Sequence, residues 1–199
     1  MKFEITNKEN NSVVLNKGQQ SAVDNLIDFI AAPFNKSNNV QALCGAGGVG
    51  KTFVTKYVIQ HCKYSDSVIA CTAPTHKACR VLSNSTNHKV HTIQKIFGFR
   101  LDVNIEDFDP NNPAFKPIGE VKIKKGYTKV LIVDEASMLN KSLVIYINKY
   151  CANNEIKIIY IGDDSQLSPV NETVSYAFKT TVKINRLTEI VRQEDDNPI

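Results

Sequence analysis

The chain has 199 residues, 42% of them apolar and 22% charged, enough to bury one substantial core and too ordinary for a disordered, collagenous or coiled-coil chain. Its net charge of +4 is mild but uneven: residues 1–100 hold 12 Lys and Arg against 5 Asp and Glu, and residues 101–199 hold 12 against 15. The basic half fits either a polyanion-facing surface or scattered surface lysines, and no apolar run is long enough to span a membrane.

Residues 1–12 read as a loose or edge segment. The stretch 1–11 is polar and lacks the apolar core of a secretory signal, so a cytoplasmic location is expected. A helix fits Lys17 to about Phe34, with Asn16 as N-cap and Ala22, Leu26, Phe29 and Ile30 on its apolar face. Val40 to Cys44 reads as a buried strand that runs straight into glycines. Thr52 to His61 reads as a helix, Val68 to Ala73 as a strand and Thr75 to Leu82 as a short helix. Val130 to Asp134 and Ile156 to Ile161 are further apolar strands, separated by a helix from about Lys141 to Cys151. Strands alternating with helices predict an α/β fold: three layers, with helices on both faces of a mainly parallel sheet.

The stretch 98–128 breaks this rhythm. Pro110, Pro113 and Pro117 punctuate it, and Val121 to Lys124 alternates. It reads equally as a small β-rich insertion or as an irregular surface loop. The expected organisation is therefore a first α/β part (1–97), an inserted small subdomain (98–128) and a second α/β part (129–199). The five cysteines are odd in number and form no CxxC pair, and the four histidines lack metal-ligand spacing. Buried reduced thiols are expected rather than disulfides or zinc.

The strongest motif is Gly45-Ala46-Gly47-Gly48-Val49-Gly50-Lys51-Thr52. It matches GxxxxGK[ST] between an apolar strand and a helix. Such glycines let backbone N–H groups curl around phosphate oxygens, and the helix N-terminus adds further donors. Lys51 would reach the β- and γ-phosphates of ATP, and the Thr52 hydroxyl would hold Mg²⁺. The run Val130 to Glu135 ends a strand in adjacent carboxylates at the sheet edge where α/β ligands bind. Asp134 would bind Mg²⁺ through water, and Glu135 would orient or deprotonate the attacking water. Gly162 to Val170 follows the next strand, and its Gln166 amide could distinguish ATP from ADP.

These residues, taken in order, are similar to superfamily 1 helicases of the RecD-like branch. The motifs are Gln19 in Lys17 to Gln20, the phosphate loop, Ala73 to Ala78, His91-Thr92-Ile93, Asp134 to Met138, Gly162 to Val170 and Leu187 to Arg192. They cover about residues 15–193. The resemblance implies a RecA-like domain with ATP and Mg²⁺ as its cofactors. It implies that Gln19 reads the adenine edge and that Arg192 touches the γ-phosphate and stabilises charge in transfer. Pro74, Thr75, His76 and Lys77, with His91 and Thr92, would lie along single-stranded DNA, and Gln166 would couple the γ-phosphate to that track. The insertion would carry a duplex-splitting hairpin with Phe108 at its tip, whereas Phe97 and Phe99 read as core.

The implied activity is ATP-driven 5′→3′ translocation and unwinding by a monomer. Its partners would be single strands, duplex junctions and replication or recombination proteins, and it would use no membrane. The family also uses a second RecA-like domain, which is expected to lie outside these residues. A stand-alone P-loop ATPase switch is the alternative. A binding module without turnover fits less well, because Lys51, Thr52, Asp134, Glu135 and Gln166 are all intact. The 20 lysines against 4 arginines hint at an AT-rich genome, such as that of a phage.

Overall fold

The apolar runs become the middle of one sheet. The computed structural model describes residues 5–6, 12–101, 115–117, 123, 126–164 and 175–190. In chain order the elements begin with the short antiparallel pair β1 (Ile5–Thr6) and β2 (Ser12–Val13). Then come α1 (Lys17–Ala31), β3 (Val40–Cys44), α2 (Lys51–His61), β4 (Ile69–Ala73) and α3 (His76–Thr86). Next are β5 (Val90–Thr92), α4 (Ile93–Phe97), β6 (Phe99–Leu101), β7 (Phe115–Pro117) and β8 (Val130–Val133). The last are α5 (Lys141–Asn153), β9 (Lys157–Gly162), α6 (Tyr176–Lys179) and β10 (Lys183–Arg186).

Six strands pair in the order β10-β3-β9-β8-β4-β5, and every pairing among them is parallel. Successive side chains along a strand face opposite layers. Val40, Ala42 and Cys44 therefore join Leu131, Val133, Ile158 and Tyr160 in a core closed by α4, α5 and α6. Leu43, Val130, Ile132, Ile159 and Ile161 face the other way, onto α1, α2 and α3. The result is the expected three-layer α/β sandwich.

The differences from the sequence expectation have local causes. Helix α1 ends at Ala31, before Phe34, because Ala32 precedes Pro33 and takes an extended ψ of 157°. Its terminal carbonyls are capped from the sheet face it covers. The buried Lys157 donates its ammonium to the carbonyls of Phe29, Ile30 and Ala32. Helix α3 runs on to Thr86, beyond Leu82; in its last turn the Ser85 and Thr86 hydroxyls donate back to the Val81 and Leu82 carbonyls, which satisfies them inside the helix. Among the described residues, the 98–128 stretch holds the antiparallel pair of β6 with β7. Cys44, Cys71, Cys79 and Cys151 are buried and form no disulfide, and Phe97 is fully buried.

Candidate nucleotide site and strand-facing edge

Because the sheet is parallel, β3, β8, β9, β4 and β5 all deliver their following residues to one edge. Gly45 leaves β3 there, and its N–H donates to Gly162 O at the end of β9 (3.2 Å). Gly48 and Gly50 have φ of 80° and 89°, a region open to glycine and strained for other residues. Gly45 is required for a different reason. A Cβ there would meet the Leu187 carbonyl oxygen at 2.5 Å and Val49 Cγ2 at 2.7 Å. Val49 is buried and anchors the loop, whereas Ala46, Gly47 and Gly48 are exposed. Gly50 caps α2 without any side-chain hydrogen bond, so the cap residue offers no acceptor of its own to the first-turn N–H groups of α2. Lys51 opens that helix, and its Nζ donates to Gly45 O (2.6 Å) and Ala46 O (2.9 Å). The ammonium thus lies across the loop. Thr52 follows it, half-buried.

Gln19 braces the loop from behind. It is buried, its N–H and Oε1 complete a capping box with Asn16, and its Nε2 donates to Val49 O (3.2 Å). The residue expected to read adenine is here a strut between α1 and the phosphate loop.

Asp134 follows β8, where its N–H donates to Thr72 O (2.9 Å). Its Oδ1 accepts from the Glu135 N–H (3.0 Å). Burial pushes the Asp134 carboxyl up from 3.8 to about 6. The Glu135 N–H opposes that rise, the Glu135 charge adds to it, and the Lys51 cation opposes it. A half-buried carboxylate held this high gains from a nearby cation. Glu135 has a left-handed φ of 51° and opens the 3₁₀ turn Ala136–Met138. Together with Thr52, Asp134 offers the hard oxygen donors that Mg²⁺ takes.

Pro74 to Lys77 follow β4 at the same edge, and Thr92 ends β5 in register with Ala73. His76 and Lys77 are exposed, and Pro74, Thr75 and His91 are half-buried. Thr75 and Thr92 have a structural use that the motifs did not reveal. They are the N-caps of α3 and α4, accepting from Ala78 N (3.1 Å) and Lys95 N (3.3 Å). Phe108, Gln166 and Arg192 lie outside the described residues.

One pair escaped the sequence reading. Arg186 stands in register with Cys44 at the end of β10, and its Nη2 meets Asp164 Oδ2 at 2.6 Å. The scarcity of arginine was the available signal. Burial and the Asp164 carboxylate push the neighbouring Cys44 thiol up to about 12. Among the described residues no group of His, Cys, Asp and Glu has the arrangement of a protein-only metal centre.

A glycine loop between strand and helix, with an acidic strand end beside it on a parallel sheet, defines a RecA-like P-loop domain. A family model described as an AAA domain matches residues 14–199, and the chain belongs to that family. An uncharacterized protein, R530, of Acanthamoeba polyphaga mimivirus is 32% identical over 183 residues, 84% of this chain and 36% of that protein. The ATP-dependent DNA helicase dda of Enterobacteria phage T4 is 31% identical over 169 residues, 82% of this chain and 35% of its own length. The crystal structure of a Bacteroides Pif1 helicase with ADP-AlF3 and ssDNA has a TM-score of 0.58 at 23% identity, covering 93% of this chain and 44% of that one. At that identity the likeness speaks for the fold. These relatives bear out the resemblance to superfamily 1 helicases. The chain spans about a third of the length of the two curated relatives.

Proposed function

We propose that this domain is the ATP-hydrolysing motor unit of a DNA helicase that moves 5′→3′ on single strands and opens duplexes. The observation that carries the reading is the convergence of Lys51, Asp134 and the end of β9 on one sheet edge, next to the track from Pro74 to Lys77. In this reading the loop from Gly45 to Thr52 wraps the phosphates, and Lys51 swings from the Gly45 and Ala46 carbonyls onto the β- and γ-phosphates. Thr52 and Asp134 would hold Mg²⁺, which supplies charge neutralisation on the β- and γ-oxygens. Glu135 takes a proton from the attacking water. Gln166 senses the γ-phosphate, and Arg192 stabilises charge developing on it. Gln19 faces adenine with the amide proton it does not spend on Val49. His76, Lys77, His91 and Thr92 grip the strand, and the 98–128 subdomain carries Phe108 to the duplex junction.

Two relatives named as DNA helicases support the substrate class. Partners such as replication or recombination proteins, a monomeric state, and the division at residues 97 and 128 belong to the same reading. The reading also holds that a second RecA-like domain completes the ATP cleft, and that residues 1–199 alone turn over ATP slowly and unwind nothing. The test is ATP turnover with and without single-stranded DNA, on this chain and on any longer form that contains it. DNA-stimulated turnover by a form with a second RecA-like domain, abolished by Glu135→Gln, is expected. Turnover indifferent to DNA in such a form would favour the stand-alone ATPase switch instead.

A further inference from the structure

Arg186 and Asp164 pair across a strand that lies between them. The sheet order β10-β3-β9 puts β3 in the middle, and two strand spacings separate β10 from β9 by about 10 Å. Arg186, Cys44 and Gly162 stand in one row across the ends of the three strands. Asp164 lies two residues past Gly162, and its Oδ2 meets Arg186 Nη2 at 2.6 Å. The ion pair therefore passes over the end of β3, at the point where Gly45 leaves it. After burial, the charges of Asp164, Arg186, Lys51 and Asp163 are what act on the Cys44 thiol, so the pair and the Lys51 ammonium surround one strand end.

Backbone contacts clasp that end from both sides. The Leu187 N–H donates to Cys44 O (2.8 Å), and the Gly45 N–H donates to Gly162 O (3.2 Å). The Leu187 carbonyl leaves no room for a Cβ at Gly45. These contacts tie each outer strand to β3, and the side-chain bridge ties the two outer strands to each other. A planar guanidinium fixes such a geometry better than a lysine ammonium does, and a chain with 20 lysines uses one of its 4 arginines here. The pair adds little to global stability, because its side chains are 55% and 20% exposed and solvent screens them. Its value is local, at the root of the phosphate loop.

We infer that the Arg186–Asp164 bridge is a strap over the root of the phosphate loop, a positioning pair that holds Gly45 and the residues after it ready for the phosphates of a nucleotide. Neither residue touches the nucleotide. The strap is in place before nucleotide arrives, so the loop is held in position instead of being ordered on binding, and the smaller ordering cost appears as affinity. Because the strap acts at the root of the loop and not on the terminal phosphate, ATP and ADP benefit alike. The inference rests on the nucleotide-binding reading above and adds to it two residues outside the glycine motif.

The test is the affinity of the purified protein for fluorescent ADP and for a fluorescent non-hydrolysable ATP analogue, with urea unfolding alongside. Asp164→Asn and Arg186→Gln should each weaken both nucleotides about three- to fivefold at low salt, the size of a half-exposed ion pair. The double variant should lose no more than either single one, since both remove the same bridge. Asp164→Glu and Arg186→Lys keep the charges and should recover most of the affinity, and the losses should fade at about 1 M salt. The urea midpoint should move little in any of these variants. Lys183→Ala removes a cation at the other end of β10 and should leave nucleotide affinity unchanged; a loss equal to that of Arg186→Gln overturns the strap. Asp164→Asn is decisive, because it also frees Arg186. If the arginine touched phosphate directly, that variant would bind nucleotide at least as tightly as the parent, and this result overturns the strap. Weakening confined to the ATP analogue overturns it in favour of a γ-phosphate contact. A shifted urea midpoint with parental affinity overturns it in favour of a purely structural bridge. A parent that binds neither nucleotide overturns the nucleotide site itself, and the strap with it.

Discussion

Asp134→Asn should make the protein more stable while destroying its use of Mg·ATP. Burial holds the Asp134 carboxyl at about 6 in place of 3.8, so the folded chain binds this proton more tightly than the unfolded chain does. Stability from this group is present at low pH and is lost as pH rises through the window from about 4 to about 6. At about 1.4 kcal/mol per tenfold change, the full cost of ionisation is about 3 kcal/mol above that window. Partial exposure reduces it, so about 1–3 kcal/mol is expected. Asparagine keeps the oxygen that accepts from the Glu135 N–H (3.0 Å) and removes the charge. Urea unfolding without Mg²⁺ should show the variant ahead by that amount at pH 7.5, with the gap closing below pH 4. A thermal scan should show roughly 2–4 °C per kcal/mol. A variant no more stable than its parent at pH 7.5, or an advantage that ignores pH, would refute the reasoning.

Lys51→Ala should weaken triphosphate binding by at least tenfold, whereas Glu135→Gln should bind ATP normally and hydrolyse it at least a hundredfold more slowly; titration and single-turnover kinetics separate the two. Gly45→Ala should cost about 1–3 kcal/mol in urea, because the Leu187 carbonyl 2.5 Å from the new methyl is backbone. Gly47→Ala meets nothing within 4 Å and should leave the midpoint unchanged; similar losses in both would show the loop to be fragile for another reason. Gln19→Ala removes the side-chain half of the capping box and the strut to Val49, so it should lower stability by about 1 kcal/mol. If Gln19 also reads adenine, the preference for ATP over GTP should narrow, and an unchanged ratio leaves it a strut alone.

The centre of the sheet was legible because β3, β8 and β9 are buried on both faces and therefore nearly uniform in hydrophobicity. The phosphate loop was legible for a geometric reason, since backbone wrapped around an anion needs glycine at fixed places. The edges were not. β5 reads Val-His-Thr and β10 reads Lys-Ile-Asn-Arg, and half-exposed border strands of that length carry no clear alternation. α4 was hidden because Thr92 is both the last residue of β5 and the cap of the helix. The motif reading took Thr75 and Thr92 for ligand-facing groups, while their hydroxyls also terminate helices. One side chain can serve both ends only if the cap leaves a lone pair or its proton outward.

The phosphate loop hangs from β3, and both neighbours of β3 come from late in the chain. Val40 pairs with Ile158 on one side, and Gln41 pairs with Lys183 on the other. During synthesis on a ribosome, the glycine motif therefore emerges long before anything exists to hold it. Until Leu187 arrives to sit against Gly45, the strand bearing the loop has open hydrogen-bonding edges. The nucleotide pocket is among the last parts of the domain to form, and a nascent chain stalled short of β10 would present sticky β3 to other chains instead of binding ATP.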